Sequence, residues 1–399
     1  MGSRKYFSCL SIVLALGCTV QSQAAGGQSS SLLQDAGHAL AAGDLGTAEQ
    51  KLQWILHKSP EDYRALDLLG IIRAQQQRNS EAENIFQRVI KSRPDYASAH
   101  VNLGLLYLQM GEPDQAEPQL EQALRLAPDR TDAAMALTGI LRDEARSAVS
   151  AGDAEKGLSL LLRARKLAPS DPDVQFEFGM IALRMSLLPD AVDAFQQALK
   201  LRANDASAVY GLGRAYMELA KFQEAREQFA RYVELQPEDA SGHYALGLSY
   251  ADLQLGPQAR AEFDKSIALQ PAQTESYFRL GLIDLDAKDY NSAEQNIQRV
   301  LGRDPKHAGA LAALGRVKLE QKKYDEAADA LQRAMASDSS LREAHYYLGM
   351  TYARMGRKEE SENQFQIATQ LEKQATEKQR TVFKILNPTD TGATGRPQK

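Results

Sequence analysis

Cysteine is nearly missing from this chain. The two present, Cys9 and Cys18, lie at its start, and everything after Cys18 is thiol-free. That excludes a disulfide framework and a cysteine nucleophile over almost the whole length. An excess of one charge is missing too: 47 Lys and Arg stand against 52 Asp and Glu, a net charge of −5. No basic run supplies the footprint that nucleic-acid binding needs, so no nucleic-acid partner is expected. Beyond Val20 no stretch approaches the roughly 18 consecutive apolar residues of a membrane-spanning helix. There is no His-Glu-x-x-His, no Gly-Lys-Ser/Thr phosphate loop and no Gly-x-Ser-x-Gly elbow. Gly211 and Gly213 form a Gly-x-Gly, but inside a helical pattern rather than behind a strand. His100, His243 and His345 recur at one repeat slot, too far apart in sequence for a compact metal motif, and read as structural. No cofactor, no metal and no enzymatic activity are expected.

What the chain has is a period. Pro60, Pro94 and Pro128 are 34 residues apart, and Pro237, Pro271 and Pro305 keep that spacing. Gly70, Gly104, Gly179, Gly213, Gly247, Gly281, Gly315 and Gly349 follow it as well. A repeat of this length marks stacked helical pairs. Within 206–239, Val209, Leu212, Gly213 and Tyr216 lie on one helical face, and Ala225, Phe229 and Tyr232 on a second. The short break between them makes the two helices antiparallel neighbours. A mid-helix glycine costs about 1 kcal/mol against alanine, so eight at one slot imply a close approach there. Ala82, Ala116, Ala191, Ala225, Ala259, Ala293 and Ala327 are expected to fill the facing slot. The fourth unit is longer, with 41 residues from Pro128 to Pro169. Its first helix is expected over 131–150, two turns longer than its neighbours.

Leu212, Gly213, Tyr216, Ala225, Phe229 and Pro237 carry a recognisable pattern, and Leu246, Gly247, Tyr250, Ala259, Phe263 and Pro271 repeat it. By these residues the chain resembles a tetratricopeptide repeat protein. The resemblance implies an all-α, right-handed superhelical solenoid of about ten units over residues 32–375. The units fall near 29–62, 63–96, 97–130, 131–171, 172–205, 206–239, 240–273, 274–307, 308–341 and 342–375. It also implies a protein or peptide partner held in a groove lined by the first helix of each unit. The chaperone-tail clamp of some family members is absent: Asn102 fits, but the preceding unit offers Asp67 and Ile71.

The ends differ in kind. Arg4 and Lys5 precede an apolar run over 6–20, then small residues to Ala25, as in a secretory signal peptide over 1–25. Three outcomes stand open: cleavage near Ala24 or Ala25, lipidation at Cys18 behind Ala15-Leu16-Gly17, or an uncleaved anchor. The expected location is the periplasm or envelope of a bacterium, with an outer-membrane lipoprotein tethered through Cys18 or a secreted protein as alternatives. Residues 26–31 read as a polar linker, 376–386 as a capping helix and 387–399 as a disordered tail.

The candidate site follows from the resemblance. The fifth slot of successive first helices reads Asp67, Val101, Met135, Phe176, Tyr210, Tyr244, Phe278, Ala312 and Tyr346. The ninth brings Arg214 and Arg316, whose guanidinium groups suit carboxylates. Phe176, Tyr210, Arg214, Tyr244, Phe278, Arg316 and Tyr346 are the candidate partner-binding residues, because aromatic and arginine side chains dominate binding hot spots. Rings tucked between helices as core, rings stacking on sugars, and a self-assembling array are the competing readings.

Overall fold

A computed structural model describes residues 27–386, with side chains from 29 to 377. Cys18, the signal segment and the tail at 387–399 lie outside the described residues. All regular structure among them is α-helical, and the chain divides into two compact units that meet in sequence at Leu201 and Arg202. The first holds α1 (Gly27–Ala41), α2 (Leu45–Lys58), α3 (Tyr63–Gln75), α4 (Asn79–Ser92), α5 (Ala97–Met110), α6 (Pro113–Leu126), α7 (Thr131–Ser150), α8 (Ala154–Leu167), α9 (Pro172–Arg184) and α10 (Leu188–Leu201). The second holds α11 (Ala206–Glu218), α12 (Phe222–Leu235), α13 (Ala240–Asp252), α14 (Gly256–Leu269), α15 (Thr274–Asp286), α16 (Tyr290–Leu301), α17 (Ala308–Glu320), α18 (Tyr324–Ser337), α19 (Arg342–Arg354) and α20 (Lys358–Leu386).

Each odd-numbered helix pairs with the next, and each second helix then packs on the following first helix within its unit. The turn inside every pair is left-handed. Its φ-positive residue is Gly43, Gln77, Gly111, Gly152, Ser186, Ala220, Gln254, Lys288, Lys322 or Gly356. Only four of these are glycine, because two backbone bonds enforce the turn. At Ala220 they run from its N–H to the Met217 carbonyl and from the Lys221 N–H to the Tyr216 carbonyl, 3.0 and 2.9 Å. Aspartates start many of the helices; the Asp62, Asp171, Asp205 and Asp239 carboxylates accept backbone N–H bonds at first-helix N-termini.

The repeating glycine has a second partner, besides the alanine slot, that the sequence reading did not name. The facing alanines are fully buried, but the side chain four residues beyond each one presses on the glycine. A Cβ on Gly213 would stand 2.7 Å from Phe229, on Gly70 2.5 Å from Phe86, and on Gly247 2.7 Å from Phe263. Leu120, Ile297 and Leu331 serve the same purpose in other pairs. Each glycine thus admits a large apolar side chain, and a fully buried one of that size is worth about 1.5–3 kcal/mol.

Helix α7 occupies Thr131–Ser150, 20 residues against 12–15 for the other helices before α20. Both Thr138 and Ala145, one on each glycine register, are buried. The lock is inverted here: Gly157 of α8 takes the alanine slot and faces Val149 of α7, where a Cβ would stand 2.7 Å away.

One boundary expectation needs correction. The expected linker at 26–31 is helix from Gly27 onward, since no proline separates the serines there from the apolar Leu32 and Leu33. The segment 376–386, expected as a capping helix, is helical and continues α20 without a break. Neither proline nor glycine occurs between Lys358 and Leu386, so nothing interrupts propagation.

The first helices form the inner row of each unit. In the first unit α1 touches α3, α3 touches α5 and α5 touches α7; in the second, α15 touches α17 and α17 touches α19. No pair of second helices among the described residues comes comparably close.

Candidate partner-binding faces

In the second unit Tyr210, Tyr244 and Phe278 sit on the consecutive first helices α11, α13 and α15. All three are half-buried, Tyr210 and Tyr244 because they lean on the locks just described and Phe278 because it meets the residue before α17. Tyr210 lies 5.5 Å from the Phe229 ring and 4.9 Å from Tyr232, centroid to centroid, and Tyr244 lies 5.8 Å from Phe263. Phe278 packs against His307 at 5.0 Å. The rings are therefore neither core nor free. One side is fixed by packing and the remainder is open, which removes rotamer entropy before anything binds. Burial pushes the Tyr210 hydroxyl above its ordinary pKa. The row then breaks, since Ala312 is buried, and resumes at Tyr346, 42% exposed and 5.8 Å from Phe365.

The arginines of this face already meet carboxylates of their own chain. Arg316 reaches Asp286 at 3.1 Å and lies over the Tyr347 ring at 5.5 Å. Arg214 is exposed, 3.9 Å from Glu218. Those acids belong to a row the sequence reading passed over. The thirteenth slot reads Glu218, Asp252, Asp286 and Glu320 in four consecutive units, and all four are exposed. The same 34-residue period would have found it.

The first unit's inner face is different. Phe176 is half-buried, 6.0 Å from Phe195. It lies on α9, in the first unit. Near it in the slot pattern are Met135, 74% exposed, Met180, 40% exposed, and Gly139, where a Cβ would meet open space. Val101 is buried. Asp67 is buried as well and accepts bonds from Asn102 Nδ2 at 2.8 Å and from the Tyr96 hydroxyl at 3.3 Å. Burial pushes its carboxyl up to about 6. Asn102, the residue closest to the chaperone-tail clamp, is thus committed to Asp67.

The recurring histidines are structural ties. His100, His243 and His345 each set Nδ1 against a side chain of the partner helix, Gln119, Glu262 or Gln364, at 2.6–2.9 Å. Each sets Nε2 against a carbonyl six residues back, that of Pro94, Pro237 or Ser339, at 3.0–3.2 Å. Gln175 reaches the Pro169 carbonyl from the same slot. No group of three or more His, Cys, Asp or Glu among the described residues is placed to hold a metal ion.

Fold and faces define a class, the stacked helical-hairpin array with a substituted inner surface. Two family profiles, each described as tetratricopeptide repeat, match it: one over residues 39–100, 73–140 and 284–340, the other over 142–208, 210–274 and 313–375. The chain belongs to the tetratricopeptide repeat family. Among curated proteins it is 30% identical over 104 residues to the human protein O-mannosyl-transferase TMTC3, covering 26% of this chain and 11% of that protein. To the mouse counterpart it is 33% identical over 67 residues, covering 17% and 7%. The chain thus spans about a tenth or less of the length of these relatives. Among solved structures, MamA from Desulfovibrio magneticus RS-1 is 22% identical at a TM-score of 0.41, with 43% of this chain and 97% of that one covered. Cut9–Hcn1 of the APC/C is 11% identical at 0.48, with 87% and 94% covered. YrrB, described as having an unusual peptide-binding site, is 22% identical at 0.38, with 51% and 97% covered.

Proposed function

We propose that the chain is an exported scaffold that holds a protein or peptide partner against the inner faces of its first helices, within a bacterial cell envelope. The supporting observation is the set of half-buried, pre-packed rings Tyr210, Tyr244 and Phe278 on three consecutive first helices. Rigid aromatics that need no further ordering are efficient anchors for a polypeptide. Export is read from Arg4, Lys5, the apolar run that follows and the small residues to Ala25. Removal at Ala24 or Ala25 gives a soluble form, and lipidation at Cys18 a membrane-tethered one; the mass of the mature N-terminus tells them apart. The function is binding, with no catalytic step.

The test is photo-crosslinking in cells from Leu248, on the ring-bearing face of α13. A captured polypeptide is expected, and Tyr210→Ala with Tyr244→Ala should cut its yield about ten-fold or more at unchanged helicity. Equal capture from Lys265 on the outer helix α14, or undiminished capture by the double variant, would sink the reading.

A further inference from the structure

Helix α20 runs past the stack that the other helices share. It spans 29 residues, whereas the second helices of the other pairs hold 12–14. A second helix of the usual length starting at Lys358 would end near Leu371. Residues 372–386 therefore continue for about 22 Å at 1.5 Å per residue. Within the pair, Ser361 and Ala368 are buried and Leu371 is half-buried. From Glu372 to Glu377 every residue is exposed, so α19 no longer shields the helix there.

The extension is patterned all the same. At about 100° per residue, Ala375, Val382, Ile385 and Leu386 take register positions within about 60° of Leu371. Ala368 falls in the same arc, so the stripe prolongs the face on which the pair packs. Lys373, Arg380 and Lys384 take positions about 140–180° from Leu371, on the opposite face. Charge is one-sided as well. After Glu377 the helix holds Lys378, Arg380 and Lys384 and no acid, in a chain whose net charge is −5. An apolar stripe backed by lysine and arginine is the pattern of a helix that lies on a lipid surface. No helix among the described residues is long and apolar enough to cross a membrane, so the contact is in the interface plane.

The place of Lys378 decides against a second copy of the chain. It falls about 20° from Leu371, inside the stripe and near its midpoint. Two stripes paired about that midpoint, parallel or antiparallel, set Lys378 against its copy on the apolar seam, at a cost in stability. On a bilayer the same lysine keeps its stem in the apolar layer and carries its ammonium up to the phosphates. Lys373, Arg380 and Lys384 then stand within about a Debye length, roughly 8–10 Å, of the headgroups.

We propose that residues 372–386 of α20 dock the chain on an anionic lipid bilayer, the stripe from Leu371 to Leu386 entering the boundary between headgroups and acyl chains. The contact needs neither the ring row nor export. The test uses the full chain with Trp54→Phe, which removes the one native indole, and Val382→Trp, which places one in the stripe. Vesicles of brominated phosphatidylcholine and phosphatidylglycerol in equal parts should quench this indole at least about two-fold more than vesicles in which ordinary phosphatidylcholine replaces the phosphatidylglycerol, with the gap narrowing as salt rises. Lys378→Gln with Arg380→Gln and Lys384→Gln should remove the preference at unchanged helicity. The apolar run at 6–20 is common to every arm. Equal quenching by the neutral vesicles, a preference that the triple variant keeps, or no quenching by either vesicle overturns the proposal. Absent quenching, together with a lipid-free dimer that Val382→Glu and Leu386→Glu dissolve, overturns it in favour of a second copy.

Discussion

The two units are built alike and faced differently. Phe86 in the first and Phe229 in the second fill the same glycine gap, at 2.5 and 2.7 Å from where a Cβ would stand. His100 and His243 tie the same helix start to the same kind of carbonyl. Yet the fifth slot of the second unit holds half-buried Tyr210, Tyr244 and Phe278, whereas the first holds buried Asp67 and Val101, exposed Met135 and half-buried Phe176. The difference teaches that packing and presentation are separable here. The glycine, the alanine and the side chain four residues beyond it hold each pair together, and the fifth, ninth and thirteenth slots are left free to differ.

That separation can be broken most directly at the lock. Phe86→Ala and Phe229→Ala should each cost about 3–5 kcal/mol by urea unfolding, and by similar amounts, since both rings are fully buried against a glycine. A large inequality would mean that the two units are not held by the same device.

A smaller effect separates the faces. The Asp67 carboxyl is pushed up to about 6 by burial, above its unfolded value of 3.8, with the Asn102 and Tyr96 bonds and the Arg130 charge opposing that rise. The folded state therefore holds a proton that the unfolded state has lost. The stabilisation is complete below about pH 4 and is lost as pH rises through 6. Asp67→Asn should gain on the parent chain by on the order of 2–3 kcal/mol between pH 4 and pH 7, at 1.36 kcal/mol per unit. Thermal melts of the two proteins that stay parallel across that range would refute this.

The smallest effect has a contrasting sign at two glycines. Gly139 faces open space on the inner surface of α7, so Gly139→Ala should stabilise by about 0.5–1 kcal/mol. Gly213→Ala should instead destabilise by about 1–3 kcal/mol, because the new methyl meets Phe229. Denaturant midpoints that move the same way for both would contradict the distinction between packing slots and inner slots.

The period made the fold legible before any coordinates. It located the paired helices and the long α7, because repetition exposes slots that a single helix would hide. It did not reveal the ten left-handed turns, since Gln77, Ser186, Ala220, Gln254, Lys288 and Lys322 hold positive φ without the glycine that usually signals it. Nor did it separate the alanine slot from the side chain that fills the gap, because both lie on one face of the second helix. The ring row was visible in the sequence. Its half-burial was not, since that depends on Phe229, Tyr232, Phe263 and His307 reaching it from other helices.

The sequence by itself determined the family, the helical pairs and the slots, because those follow from local periodicity and from where glycine and proline recur. Only the tertiary structure decided which slots face inward, which charges are already spent and which are free. Arg316 was an available guanidinium until Asp286 of the neighbouring helix was found 3.1 Å away. Asp67 was only the first member of the fifth-slot series until Asn102 and Tyr96 were found bonded to its carboxylate. Such pairings join residues some thirty positions apart, and only the stacking of one pair on the next brings them together.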